Sequence, residues 1–292
     1  MKIVRTVKEL SKVVENNRKL KKQIGFVPTM GSIHDGHIKL VKDSIIENDL
    51  TVCSIFVNPI QFNNLEDLEN YPREEKNDFI KLREAFCDVI FVPDEAEIYP
   101  KDFKKIKFKF SHALTILEGE KRPGHFDGVL NVVKLLFEFI KPDRAYFGEK
   151  DYQQLWIISK FKDRFNIPTE IKSVATVRSE NGLALSSRNK RMNSNQIIIA
   201  KVVYKILADL RKKVNFYYQS KSKNKIEKRL LKKIKSELVR NAVSSNSLKI
   251  EYFEIVDVEN FNIVDTLFLE KKYRVLIAVY VGNIRLIDNI LI

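Results

Sequence analysis

The chain has 292 residues, 44% hydrophobic and 31% charged, enough for one large or two modest domains around an ordinary buried core. No apolar run reaches the roughly 18 residues of a membrane span, and MKIVRTVKELSKVVENNRKLKK at the N-terminus lacks the continuous apolar stretch of a secretory signal. A membrane protein and an exported one are therefore set aside, and a cytoplasmic location is expected. After this basic strand-plus-helix lead-in, IGFVPT (24–29) reads as a short buried strand. Residues 35–48 carry a helical stripe at Ile38, Val41 and Ile45, and LTVCSIFVNP (50–59) is a second strand. A charged amphipathic helix ending at Cys87 leads to DVIFVPD (88–94), a third. FDGVLNVVKLLFEFIKP is a helix stopped by Pro142, DRAYFGEKD (143–151) a fourth strand, YQQLWIISKFKDRFN a helix and TEIKSVATVR (169–178) a fifth strand. Strands alternating with helices predict a Rossmann-like, doubly wound parallel sheet over 1–178.

After about Arg178 the pattern changes. SNQIIIAKVVYKILADLRKKV (194–214) and NKIEKRLLKKIKSELVRNA (224–242) read as long helices joined by the polar NFYYQSKSK. The β-rich LKIEYFEIVD and YRVLIAVYVGNIRLID follow. A second, smaller α+β domain is expected over 179–292. The formal charge of +14 invites a nucleic-acid reading, but residues 201–250 alone hold fifteen Lys and Arg against three Asp and Glu, a net +12, leaving +2 elsewhere. Ile226, Leu230, Ile234 and Leu238 mark one apolar stripe there, with lysines on the other sides. That is the pattern of a solvated helix packed on its own domain, and no RNA-binding signature accompanies it. Cys53 and Cys87 lie in no metal or redox pattern and are expected to be reduced, buried thiols, as in a reducing compartment.

In an open parallel sheet ligands bind beyond the carboxyl ends of the strands. Polar clusters follow four of the predicted strands: PTMGSIHDGH, NPIQF, GEKD and RSENGLALSSRN. Gly31 permits a tight turn after the first strand, and Gly36, in the first helical turn, permits close approach to the backbone. His34 and His37, three apart, can project from one side of that turn. A helix N-terminus with two imidazoles suits a phosphate that gains charge in a transition state. Two other readings stay open on these residues alone: solvent-facing caps, or half of a zinc site still needing further ligands, which neither His112 nor His125 has the spacing to supply. Neither GxxxxGK[ST] nor GxGxxG occurs. Ser186, Ser187 and Arg188 in LSSRN concentrate phosphate donors, though they could equally cap a helix. Lys150 adds a point charge, and Gln61 and Gln154 offer amides to a small polyol or carboxylate.

FVPTMGSIHDGH, FVNPIQF, YPR, RPGHFDGV, FGEKDYQQL and GLALSSRN occur in this order, and RLIDN follows near the end. Together they resemble the pantoate–β-alanine ligase family (AMP-forming), within the wider group of HxGH nucleotidyl transferases. The likeness is dense from Ile24 to Asn193 and weak over 201–247. The resemblance implies two steps. Pantoate attacks the α-phosphate of ATP to give pantoyl adenylate and pyrophosphate, and β-alanine then displaces AMP to give pantothenate. It implies ATP contacts at Met30, Gly31, Ser32, Ile33, His34, Asp35, Gly36 and His37, with His37 as catalytic proton donor and His34 supporting the phosphates. Further nucleotide contacts are implied at Gly148, Glu149, Lys150 and Asp151, with Lys150 on phosphate, and at Val177 near adenine. Leu185, Ser186, Ser187 and Arg188 would close over the triphosphate, in a C-terminal domain that closes the site. Gln61 would touch pantoate and β-alanine, and Gln154 pantoate. Mg²⁺ would travel with ATP, with no dedicated protein cage, and a homodimer is implied. Asn181 stands where the family has Asp, Leu185 where it has Met, and SIHDGH replaces ALHEGH. The competing expectations are another HxGH transferase with a different acceptor and a polyanion-binding protein built on 201–250.

Overall fold

The computed structural model describes residues 1–221, 224–243 and 248–292. The chain divides into two compact units, Met1–Val177 and Arg178–Ile292. No helix among the described residues is long and apolar enough to cross a membrane.

The first unit holds strands β1 (Lys2–Val4), β2 (Ile24–Thr29), β3 (Leu50–Ile55), β4 (Val89–Phe91), β5 (Arg144–Gly148) and β6 (Glu170–Val174). They form one parallel sheet in the order β1-β4-β3-β2-β5-β6, a Rossmann-like, doubly wound arrangement. The lead-in strand joins the sheet edge, so it has six strands rather than the five counted from the main alternation. Every residue of β3 is buried, as befits a central parallel strand covered on both faces.

Its helices are α1 (Val7–Lys19), α2 (Asp35–Glu47), α3 (Leu65–Glu69), α4 (Glu75–Glu84), α5 (Glu95–Ile98), α6 (Glu118–Lys121), α7 (His125–Ile140) and α8 (Tyr152–Arg164). Thr6 and Glu9 form a reciprocal capping box that starts α1. Lys141, with φ 47°, ends α7 just before Pro142, and Cys87 lies beyond the end of α4 rather than in it. Gly25 sets how closely α2 lies on β2, because a β carbon there would fall 2.1 Å from Ser44 Oγ. Val27, Ile33, Val41, Cys53, Leu82 and Ile90 form the core between them.

The second unit holds α9 (Ser194–Lys221), β7 (Lys225–Ile226), α10 (Lys228–Val243), β8 (Leu248–Asp257), β9 (Leu267–Phe268), β10 (Tyr273–Val281) and β11 (Ile284–Leu291). Strands β11-β10-β8 form an antiparallel sheet, and β7 pairs with β9. Two expectations are corrected. Most of NFYYQSKSK, up to Lys221, continues α9, since it contains no Gly or Pro to stop a helix; Ser222 and Lys223 lie outside the described residues. Ile226 belongs to β7, so the buried stripe of α10 is Leu231, Ile234 and Leu238, with Leu230 only partly buried.

Candidate active site

β2 and β5 are neighbours, with β3 and β4 following outward on one side of them and β6 on the other. Their carboxyl ends therefore flank the switch point, where an open α/β sheet leaves a crevice for ligands. Two of the polar clusters singled out in the sequence lie here, PTMGSIHDGH after β2 and GEKD after β5.

The turn after β2 is held from below. Thr29 Oγ1 donates to the Ser54 carbonyl at 2.6 Å and accepts from Gly31 N–H at 3.2 Å. Gly31 and Ser32 then adopt φ of 79° and 50°, the left-handed region that glycine enters freely and serine less so. Asp78, on the buried face of α4, accepts from Ser32 N–H at 2.8 Å and Ile33 N–H at 2.7 Å, one through each carboxylate oxygen. Lys81, one turn further along α4, donates to the Ile33 carbonyl at 2.7 Å. A β carbon on Gly31 would approach Asp78 Oδ2 to 3.0 Å, so the carboxylate that holds the turn also favours glycine at 31.

His34 is the N-cap of α2, and its Nδ1 accepts from Gly36 N–H at 3.1 Å. A neutral ring that accepts at Nδ1 carries its proton on Nε2. Gly36 is small for a local reason: a β carbon there would fall 2.8 Å from His34 Cε1. What approaches this glycine is the His34 ring.

His37 stacks on His34 with ring centroids 4.0 Å apart and planes 26° from parallel. Its Nδ1 is buried without a hydrogen-bond partner among the described residues, a state that bound ligands commonly relieve. Burial, then the charge of Lys150, lowers His34 to about 4. Burial, then His34, Lys150 and Lys81, holds His37 well below the ordinary imidazole range. At neutral pH the pair is therefore uncharged, able to donate N–H bonds, and set in the field of two lysines. An anion arriving beside it would be attracted and would raise the proton affinity of both rings.

Gln61 closes the single 3₁₀ turn Pro59–Gln61 beyond β3 and is buried. Asn58 Nδ2 donates to its Oε1 at 3.0 Å, and its Nε2 lies 2.7 Å from Met30 Sδ. The structure thus brings Gln61 to the Met30–His37 segment, and the Lys150 charge to both histidines. Lys150 also pairs with Asp151 at 3.6 Å, and Glu149 accepts from Ser173 Oγ at 2.8 Å. Apart from Gly148 and its two chain neighbours, no described residue has an atom within 4 Å of where a β carbon of Gly148 would sit, so the rim of β5 is open there. Gln154 is half-buried in the first turn of α8, and Val177 is the last residue of the unit. Among the described residues no group of three or more His, Cys, Asp or Glu is placed to hold a metal ion.

The sequence profile of the family described as pantoate-beta-alanine ligase matches residues 2–291. The chain belongs to this family. It is 43% identical over 292 residues to the pantothenate synthetase of Azobacteroides pseudotrichonymphae, covering 99% of each chain. It is 42% identical over 287 residues to that of Aquifex aeolicus, covering 98% of this chain and 97% of the relative. The pantothenate synthetase structure from Thermus thermophilus superposes with a TM-score of 0.88 at 36% identity over 99% of both chains. The Francisella tularensis pantoate–β-alanine ligase, solved with β,γ ATP and β-alanine, gives 0.78 at 37% identity over 100% of this chain and 97% of that one.

In this pantoate–β-alanine ligase the LSSRN run lies in the second unit. Ser186 Oγ accepts from Arg188 N–H at 3.3 Å and caps the 3₁₀ turn Ser187–Arg191, so the capping reading of that serine holds locally. The segment before it is anchored by Arg178, whose guanidinium grips both oxygens of the buried Asp288 at 2.6 and 2.8 Å and lies 4.1 Å over the Tyr204 ring. Asp288 is the acid of RLIDN, which accounts for that motif near the end of the chain. Asn181 sits exposed in the turn just before Gly182, whose φ is 84°.

Several residues of the ligase escaped the sequence reading. Asp78 and Lys81 were visible only as charges in a charged helix; an acid on the face shared with Leu82 was the one available signal. Asn58, which orients Gln61, lay within the NPIQF cluster but carried no role there, and Tyr99, which donates to Asn58 Oδ1 at 2.7 Å, gave no signal.

Proposed function

We propose that this ligase condenses pantoate with β-alanine at the expense of ATP, through an enzyme-bound pantoyl adenylate. The observation that carries the reading is the neutral, stacked His34–His37 pair at the start of α2, beside the switch point and within the fields of Lys81 and Lys150. A carboxylate is a poor acyl donor until one oxygen becomes part of a good leaving group. In the first step a pantoate carboxylate oxygen bonds to the α-phosphorus of ATP as the bond to the bridging oxygen breaks, and pyrophosphate leaves. In the second the β-alanine nitrogen bonds to the acyl carbon, loses a proton, and AMP leaves.

Negative charge builds on phosphate oxygens in the first step, and preorganised N–H donors answer it without reorganisation. His34 presents its Nε2–H, because Nδ1 is taken by Gly36. His37 is proposed as the proton donor, with Lys150 on phosphate. Met30, Gly31, Ser32, Ile33, Asp35, Gly36, Gly148, Glu149, Asp151 and Val177 are proposed to line the nucleotide. Leu185, Ser186, Ser187 and Arg188 are proposed triphosphate ligands. Gln61 and Gln154 are proposed to hold pantoate, with Gln61 also touching β-alanine; the grip of Asn58 on Gln61 supports a fixed amide there. Mg²⁺ is proposed to enter on the ATP phosphates. We also propose a cytoplasmic homodimer, the location being supported by two free, buried cysteines.

Product analysis tests the reading. With pantoate, β-alanine and ATP the protein should form AMP and pyrophosphate in equal amounts with pantothenate. ADP and inorganic phosphate would place the attack at the γ-phosphate and contradict it.

A further inference from the structure

The RPGHFDGV motif runs from Arg122 to Val129, across the start of α7. His125 opens α7 and is buried. Its Nδ1 lies 2.9 Å from the carbonyl oxygen of Gln61, and its Nε2 lies 3.0 Å from Nη1 of Arg122. A guanidinium only donates, so Nε2 must accept and the ring proton sits on Nδ1, from which it donates to Gln61. The two contacts together select one neutral tautomer.

Arg122 is held in turn. Its Nη1 lies 3.8 Å from the buried Glu118 carboxylate. Glu118 N–H donates to Gln153 Oε1 at 3.1 Å, and Gln153 Nε2 donates to the carbonyls of Ala113 and Ile116 at 2.7 and 2.8 Å. The adjacent glutamines of KDYQQL thus divide: Gln153 is buried and structural, while Gln154 is the proposed ligand.

From the other side, α7 fits against the same turn at Gly128. A β carbon there would lie 2.4 Å from the Ile60 carbonyl and 2.5 Å from Gln61 Cα. Asn58 Nδ2 spans the contact, reaching Gln61 Oε1 and the Gly128 carbonyl at 3.2 Å. His125 thus holds the Gln61 carbonyl, while Asn58 holds the amide side chain and, through its own carbonyl, the Gln61 N–H at 3.5 Å.

We propose that His125 is a positioning residue for pantoate, acting through Gln61 and held in its working tautomer by Arg122 and Glu118. The proposal rests on Gln61 being a pantoate ligand. A binding group keeps its productive geometry only when supporting hydrogen bonds and packing lock it in place.

The test compares KM for pantoate and for ATP in His125→Phe, His125→Gln, Gln61→Ala and the double variant. Phe keeps a flat aromatic ring but has no hydrogen bonds. The Gln amide can both donate to the Gln61 carbonyl and accept from Arg122. His125→Phe should raise KM for pantoate roughly fivefold to tenfold, the range expected for one lost hydrogen bond, with KM for ATP unchanged and His125→Gln restoring most of the loss. In the Gln61→Ala background the Phe substitution should add little, because coupled residues are not additive. Equal changes in both KM values, an unchanged KM for pantoate, or full additivity with Gln61→Ala would overturn the proposal. If Gln61→Ala itself leaves pantoate use unchanged, the ligand reading of Gln61 falls and takes this proposal with it. Should His125→Phe fail to fold, Arg122→Met, at a partly exposed side chain, must show the same selective rise in KM for pantoate or the proposal fails.

Discussion

Asp78→Asn tests whether the turn that carries His34 and His37 is held by α4. The buried carboxylate accepts two backbone N–H groups, at 2.8 and 2.7 Å, from residues at or just after a left-handed pair. An Asn side chain offers one acceptor oxygen and sets an N–H₂ against the other backbone donor. One charge-assisted hydrogen bond is lost and one buried N–H is left unsatisfied, together roughly 2–4 kcal/mol. For a unit of this size that lowers the melting temperature by about 5–15 °C. The catalytic cost is separate. The His34 ring is tied to the turn through the α2 cap, and displacement of such groups by about 1 Å can reduce rate about 10²-fold. The assay is AMP formation under saturating substrates at a temperature where the variant is folded by circular dichroism, alongside its thermal melt. A variant with unchanged melting and unchanged kcat would refute the reasoning. One that melts early but turns over normally would show that Asp78 stabilises the unit without positioning the histidines.

His37→Ala is expected to lower adenylate formation by about 10²–10³ in a folded protein, the usual value of one preorganised donor; a near-normal rate would remove His37 from the mechanism. Gln61→Ala and Gln154→Ala should each raise KM for pantoate more than KM for ATP, as read from initial rates with each substrate varied in turn. Stability should fall with acid. His34 protonates near 6.5 when unfolded and at about 4 when folded, so its contribution is complete above about pH 6.5 and lost as pH drops toward 4. The loss is at most about 3 kcal/mol, less the effect of the ring's partial exposure. Denaturant titrations across that range should show His34→Gln losing less stability than the parent, and parallel curves would exclude the effect.

The sheet and the rim were legible because each rests on local signals. Alternating apolar runs marked the strands of the first unit, and the polar clusters marked the ends of four of them. The HDGH turn was legible as a helix start with two imidazoles, but the reason for Gly36 was not, because the group it admits is the side chain of His34, two residues before it. Asp78 was hidden for a different reason: its partners Ser32 and Ile33 lie more than forty residues away, and only the packing of α4 beside the β2–α2 turn joins them. The continuation of α9 through residues 215–221 was missed because polarity was read as a break, although polar side chains on an exposed helical face break nothing. His125 could not be assigned from sequence, since its work is done on a main-chain carbonyl that no side-chain pattern encodes.

The central claim is an enzyme-bound acyl adenylate formed before the amine acts. The protein should exchange labelled pyrophosphate into ATP when pantoate is present and β-alanine is absent, because the first step then runs in both directions with nothing to drain the adenylate. Exchange that depends on pantoate and proceeds without β-alanine is the predicted result. Exchange that requires β-alanine, or label appearing only through ADP, would contradict the account.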